Sequence, residues 1–150
     1  MPADVTELEA GDPHEVAAEN ARRKAAAVAG DLVLGVDTLV AVGGRIYGKP
    51  RDAEHAAATL RALSGRTHLV VSGLALGERV ATATTEVTFR ALDDAWIDWY
   101  VGTGEWRERA GGYAIQGRGA VLVREIRGDY LNVVGLPVSA LVDLAPDLLP

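Results

Sequence analysis

Leu32-Val33-Leu34-Gly35-Val36-Asp37-Thr38, taken with Gly48-Lys49-Pro50 further along, is the stretch on which the fold turns. An apolar, strand-like run leads straight into an acid and a hydroxyl. A carboxylate at the end of an apolar strand is costly unless something pairs with it. Strand ends in α/β folds are also where ligands bind. Leu32 to Val42 predicts a strand, Gly43-Gly44 a tight hairpin turn, and Arg45-Ile46-Tyr47 the return. Pro50 ends that return and leaves Lys49 on a stiff turn near the sheet.

Upstream, Asp12-Pro13-His14-Glu15 reads as a helix start, with Asp12 as N-cap, Pro13 at the first helical position and Glu15 at the capping-box position. That helix is expected to run to about Ala29 and stop at Gly30. Residues 1–11 form a polar lead-in with a short extended piece, Val5-Thr6-Glu7-Leu8. Downstream, Asp52 caps a helix over Ala53 to Leu63, and Leu69 to Leu76 pairs with Val80 to Leu92 around Gly77-Glu78 as a second hairpin. A third helix, Ala95 to Val101, follows Asp93-Asp94. The glycine-rich run Ala110 to Gly119 is too irregular for an element interior and suits close approach to a ligand. Ala120 to Ile126 predicts a strand, and Asn132 to Pro137 a turn into a last helix ending at Leu149. Helices and hairpins alternate, so an α/β fold with a mixed sheet flanked by helices is expected in a single domain over 1–150.

The 150 residues contain no cysteine, which removes disulfide and thiolate chemistry. No run is long and apolar enough for a membrane span, and the acidic start is unlike a secretory signal, so the expected location is cytoplasmic. A net charge of −6 argues against a nucleic-acid polymer as partner. Hydrophobic residues make up 49% of the chain with a single Phe, so Ala, Val and Leu must build the core.

Several residues could carry chemistry. Asp37 suits a general base or a divalent-metal ligand, or a turn cap partnered by Thr38. Lys49 suits a phosphate, or simply an exposed turn. Lys24 lies on the apolar face of the first helix, where its stem could cover the core edge or its ammonium enter a cleft. Ser64-Gly65-Arg66-Thr67-His68 could bind an anion or merely close a helix. Gln116 carries both a donor and acceptors, suited to a base edge. Trp96, Trp99 and Trp106 offer an interface, including one between two copies in a homodimer.

The ordered set Gly35-Val36-Asp37-Thr38, Gly48-Lys49-Pro50, Leu63 to His68, Ala110 to Gly117 and Asn132 to Pro137 resembles the Maf family of nucleoside triphosphate pyrophosphatases. The resemblance spans about Val5 to Leu149. It implies a two-lobed Maf/ITPase-like architecture with a central cleft. The implied activity is hydrolysis of a nucleoside triphosphate to the monophosphate and pyrophosphate, by metal-assisted attack of water at the α-phosphorus. By resemblance Asp37 is the proton acceptor, and Thr38 and Gln116 bear on substrate choice. Lys49, Lys24 and Glu7 line the cleft, Asp37 and Glu7 are the metal positions, and the metal is Mg²⁺ or Mn²⁺. Ile115-Gln116-Gly117 resembles the branch acting on dTTP and UTP, with modified pyrimidine nucleotides a related class. The family's first strand and its Ser-x-Ser-Pro-Arg-Arg loop have no counterpart here. The resemblance therefore predicts an N-terminally truncated version, from an internal start or as a true short form. The alternative function is a catalytically weak or silent nucleotide-binding or interaction module.

Overall fold

The computed structural model describes residues 10–28 and 33–148. Glu7 and Leu149 lie outside that range, as do Ala29 and Gly30, where the first helix was expected to stop. Helix α1 (Pro13–Ala26) begins as its residues dictate: the Asp12 carboxylate accepts the Glu15 amide at 3.1 Å, with Pro13 opening the first turn. Strand β1 (Leu34–Val42) turns at Gly43-Gly44, both with φ positive (58° and 76°), into β2 (Arg45–Tyr47). Helix α2 (Ala53–Leu63) is capped by Asp52, which accepts the His55 amide at 2.7 Å. Strands β3 (Thr67–Leu76) and β4 (Arg79–Phe89) form the long hairpin, and α3 (Asp94–Gly102) is capped by Asp93.

The sheet runs β2-β1-β3-β4-β5 with β5 at Val123–Arg127. Helices flank it, as the alternation requires. Where that alternation predicts a mixed sheet, all four pairings among the described residues are antiparallel. The β1–β2 and β3–β4 pairs are hairpins, which are antiparallel by construction, while β3 follows α2 and β5 follows α3.

Alternation along β1 divides the core in two. Leu39 and Ala41 point towards α1 and pack with Val16, Ala17 and Val71. Val40 and Val42 point the other way, into a larger cluster with Leu60, Leu63, Val70, Phe89, Ile97 and Tyr100. On the α1 side the approach of helix to sheet is very close. A Cβ on Gly35 would stand 2.0 Å from the Ala21 carbonyl oxygen, and one on Gly73 would stand 2.1 Å from that of Ala17. Only glycine lets the helix lie this near the strands.

Two expected elements differ. The strand predicted from Ala120 begins only at Val123, because Arg118–Leu122 is a 3₁₀ turn. The Ala120 amide is donated to the Gly117 carbonyl at 3.2 Å inside that turn, so it is not available to a sheet ladder. A short helix, α4 (Tyr130–Val134), precedes the last one, and the helix expected beyond Pro137 is α5 (Val138–Leu144), which ends early, before a 3₁₀ turn over Pro146–Leu148. Gly135, with φ 130°, and Pro137 separate α4 from α5. Asn132 to Pro137, read as a turn, thus starts inside a short helix. No helix among the described residues is long and apolar enough to cross a membrane.

Candidate active site

The close seat of α1 decides what meets Asp37. Asp37 points towards α1 and pairs in register with Gly73, which has no side chain to stand beside it. Asn20 and Lys24 lie one helical turn apart on α1 and so share a face. Lys24 Nζ donates to Asp37 Oδ1 at 2.9 Å, and Asn20 Nδ2 donates to Asp37 Oδ2 at 3.3 Å. Asp37 is only 6% exposed and Asn20 2%, while Lys24 keeps 29% of its side chain in solvent. A buried carboxylate thus meets an ammonium that remains open to the outside, the arrangement a buried charge requires.

A cleft of about 430 Å³ lies along β1, and Asp37, Thr38, Lys24, Lys49 and Gln116 all line it. Among the described residues, β2 covers only Val40–Val42 of that edge of β1. Both faces of the strand therefore contribute: Asp37 from the α1 side, and Thr38 from the other, where its hydroxyl lies 2.9 Å from Ser72 Oγ. Lys49 enters on the Gly48-Lys49-Pro50 turn, pinned where the Gly111 amide donates to the Gly48 carbonyl at 3.1 Å. Its ammonium is 3.6 Å from Glu108, and both groups are largely exposed. Gln116 is exposed on the glycine-rich loop. Five of the six expected site residues thus face one cavity, and Glu7 is outside the described range.

Several readings of the residues need correction. The Ser64 to His68 segment does not line this cleft. Ser64 Oγ accepts the Leu92 amide at 2.6 Å and donates to the Leu92 carbonyl at 3.3 Å, a structural tie between segments. His68 is fully buried, edge-on to both Phe89 and Tyr113, with Nε2 2.7 Å from the Tyr113 hydroxyl. Burial pushes its pKa down to about 4. Trp106 is buried too, its indole donating to the Val101 carbonyl at 3.0 Å, so of the three tryptophans only Trp96 and Trp99 are exposed.

Asn20 and Glu105 escaped the sequence reading. Asn20 had a signal, since it stands four residues before Lys24 on the same helical face. Glu105 had none, because its partners are a tyrosine hydroxyl and backbone amides, and amides leave no mark in the side-chain pattern.

The described residues gather no group of three or more His, Cys, Asp or Glu that could hold a metal. Asp37 is a carboxylate, a hard oxygen ligand, and it lines the cleft. That fits a Mg²⁺-type ion held by one or two carboxylates together with substrate phosphates.

Such a site, an acid–ammonium pair in a cleft walled by a glycine-rich loop, has the features of a small-ligand binding cleft. The family profile described as Maf-like protein matches residues 1–148, and the chain belongs to that family. It is 51% identical over 148 residues to a dTTP/UTP pyrophosphatase of Anaeromyxobacter dehalogenans (strain 2CP-C), covering 92% of this chain and 76% of that protein. It is 44% identical over 153 residues to a dTTP/UTP pyrophosphatase of Pyrococcus furiosus, covering 95% and 80%. A Pelotomaculum thermopropionicum protein of the same name is 45% identical over 156 residues, covering 96% and 82%.

Proposed function

We propose that this chain hydrolyses dTTP and UTP to the monophosphate and pyrophosphate. The observation that carries the reading is the Asp37–Lys24 contact, 2.9 Å long and open to the cleft on the lysine side. The names of the relatives support the substrate class.

A triphosphate carries about four negative charges, and the cleft offers Lys24 and Lys49 to meet them. Each lysine now holds a carboxylate, Asp37 and Glu108 respectively. A phosphate that draws Lys24 towards itself frees Asp37 Oδ1 to take the proton of an attacking water. The water oxygen bonds to the α-phosphorus, the bond from that phosphorus to the α,β-bridging oxygen breaks, and pyrophosphate leaves with that oxygen. A bound divalent cation, held by Asp37 and the phosphates, would supply charge neutralisation at the reacting phosphoryl group. Asn20 keeps the carboxylate oriented meanwhile. Gln116 offers one donor and one acceptor, which matches a uracil- or thymine-type edge. Thr38, at the cleft wall with its hydroxyl 2.9 Å from Ser72 Oγ, contributes to substrate choice in this reading.

Release of pyrophosphate from dTTP, UTP, dCTP, dATP and GTP, each with Mg²⁺ or Mn²⁺, tests the proposal. Turnover confined to the uracil and thymine nucleotides is expected, with ¹⁸O from labelled water entering the monophosphate. No turnover, either by this chain or by one extended with a family-type strand and loop, would reject it. Nucleotide binding by calorimetry without pyrophosphate release would instead favour a silent binding module.

A further inference from the structure

The loop carrying Gln116 is held at both ends by two side chains that lie outside the set of cleft-lining residues. Tyr100, on α3, is fully buried, and its hydroxyl accepts the Ala114 amide at 2.9 Å. The same hydroxyl donates to Glu105 Oε1 at 2.8 Å. Glu105 Oε1 also accepts the Gly119 amide at 2.9 Å, and Oε2 accepts the Arg118 amide at 3.0 Å. Three backbone amides, one before Ile115-Gln116-Gly117 and two after it, therefore converge on one carboxylate–phenol pair. The loop closes on itself where the Gly117 amide donates to the Ala114 carbonyl at 3.1 Å. Ile115 anchors it in the core, and Gln116 is left exposed at the cleft.

The glycines of the loop make room for this clamp. A Cβ on Gly117 would stand 2.5 Å from Glu105 Oε2, and one on Gly119 would stand 2.9 Å from the Tyr100 hydroxyl and 2.4 Å from the Ala114 carbonyl oxygen. Glu105 is itself fixed from below: its amide donates to Thr103 Oγ1 at 3.2 Å, and that hydroxyl donates to the Tyr100 carbonyl at 2.6 Å. A carboxylate that accepts two amides and a phenol is a strong, oriented anchor.

We propose that Glu105 and Tyr100 are positioning residues for base selection, acting through the backbone of the loop that presents Gln116. This rests on the pyrophosphatase reading, since it assigns Gln116 to the base. Discrimination between bases depends on where a donor and an acceptor sit to within a fraction of an ångström, and a loop released at either end loses that register. Truncating the clamp should therefore weaken preference more than it weakens the chemistry at Asp37, which takes no part in the clamp's hydrogen bonds.

Glu105→Ala and Tyr100→Phe in the full chain test this, the second keeping the ring in the core. Two readouts are taken well below each variant's Tm: kcat/KM for UTP against ATP, and calorimetric Kd for UMP against AMP. The expected result is a fall of about tenfold in both preference ratios, the effect of losing one or two loop hydrogen bonds, expressed mainly in KM. Faster hydrogen exchange at the Ala114, Arg118 and Gly119 amides should accompany it. Ratios within twofold of wild type, with only a uniform loss of activity that follows Tm, would overturn the proposal, as would a wild type that does not prefer UMP to AMP. Absence of turnover in wild type with a retained UMP preference would count against the pyrophosphatase reading alone, because the binding ratio still reports on the clamp.

Discussion

At the scale of single residues, the buried charges and the buried histidine behave differently. Asp37 meets an ammonium and an amide, so it can be buried and ionised together. His68 meets a phenol and two ring edges, with Nδ1 lacking any partner, so it is buried neutral. Its pKa falls from 6.5 to about 4 through desolvation. The unfolded chain then binds a proton at His68 as pH drops below about 6.5, while the folded chain does not until about 4. Stability is at its full value above that window and declines as pH falls through it, by about 3 kcal/mol in all for this one group. Urea unfolding between pH 7 and pH 4 should show this decline, and His68→Gln should reduce its slope relative to wild type. Equal slopes would mean that His68 takes up its proton in the fold as readily as in the unfolded chain. The burial of His68 was not legible in the sequence, because the Ser-Gly-Arg-Thr-His run is polar and only the inward turn of β3 puts its last member in the core. Lys24 was legible as an oddity on an apolar helical face, but the choice between a solvent-reaching stem and a cleft ammonium needed the distance to Asp37.

At the scale of elements, the seat of α1 on β1 and β3 determines whether the acid has partners. Gly35→Ala or Gly73→Ala places a methyl group about 2 Å from a helix carbonyl oxygen, and backbone cannot step aside as a side-chain tip can. Each should destabilise by about 2 kcal/mol or more in urea unfolding. Each should also lower turnover beyond the stability loss, since Asn20 and Lys24 move away from Asp37 together. Gly48→Ala, with open space around its Cβ and no positive φ, is the control and should lie within about 0.5 kcal/mol of wild type. The caps that set α1, α2 and α3 were readable because Asp12, Asp52 and Asp93 each stand just before a periodic apolar run. The short helix α4 was not, because Asp129 caps only five helical residues before Gly135 intervenes. The late start of β5 was hidden for a different reason: the run from Ala120 reads as a strand, while its first amide is taken by the Gly117 carbonyl in the 3₁₀ turn.

At the scale of the whole molecule, an acidic chain of net charge −6 gathers Lys24, Lys49 and Arg109 in one cavity, where Asp37 and Glu108 are the acidic groups. That contrast explains how a protein which repels a polyanion at long range can still receive one nucleotide. A ligand that binds only the folded chain must stabilise it, by about 2.7 kcal/mol at a hundred times its Kd. The Tm should rise with UMP and should not rise with an equal concentration of uridine, which lacks the phosphate. A similar rise with both would place the affinity in the nucleoside and not in the lysines. The order of the elements and the position of the cleft follow from local signals in the chain. The convergence of β1, α1 and the glycine loop on one acid is a property of the fold, prepared by two glycines whose importance appears only once the helix is laid against them.

The most direct measurement is kcat for UTP and dTTP in wild type and in Asp37→Asn, compared at equal folded fraction by circular dichroism. Asn keeps the size and one acceptor oxygen but cannot take a proton. The expected result is a fall of about 10²- to 10⁴-fold in kcat with Tm nearly unchanged. A variant that turns over at close to the wild-type rate would contradict the central role given to this carboxylate.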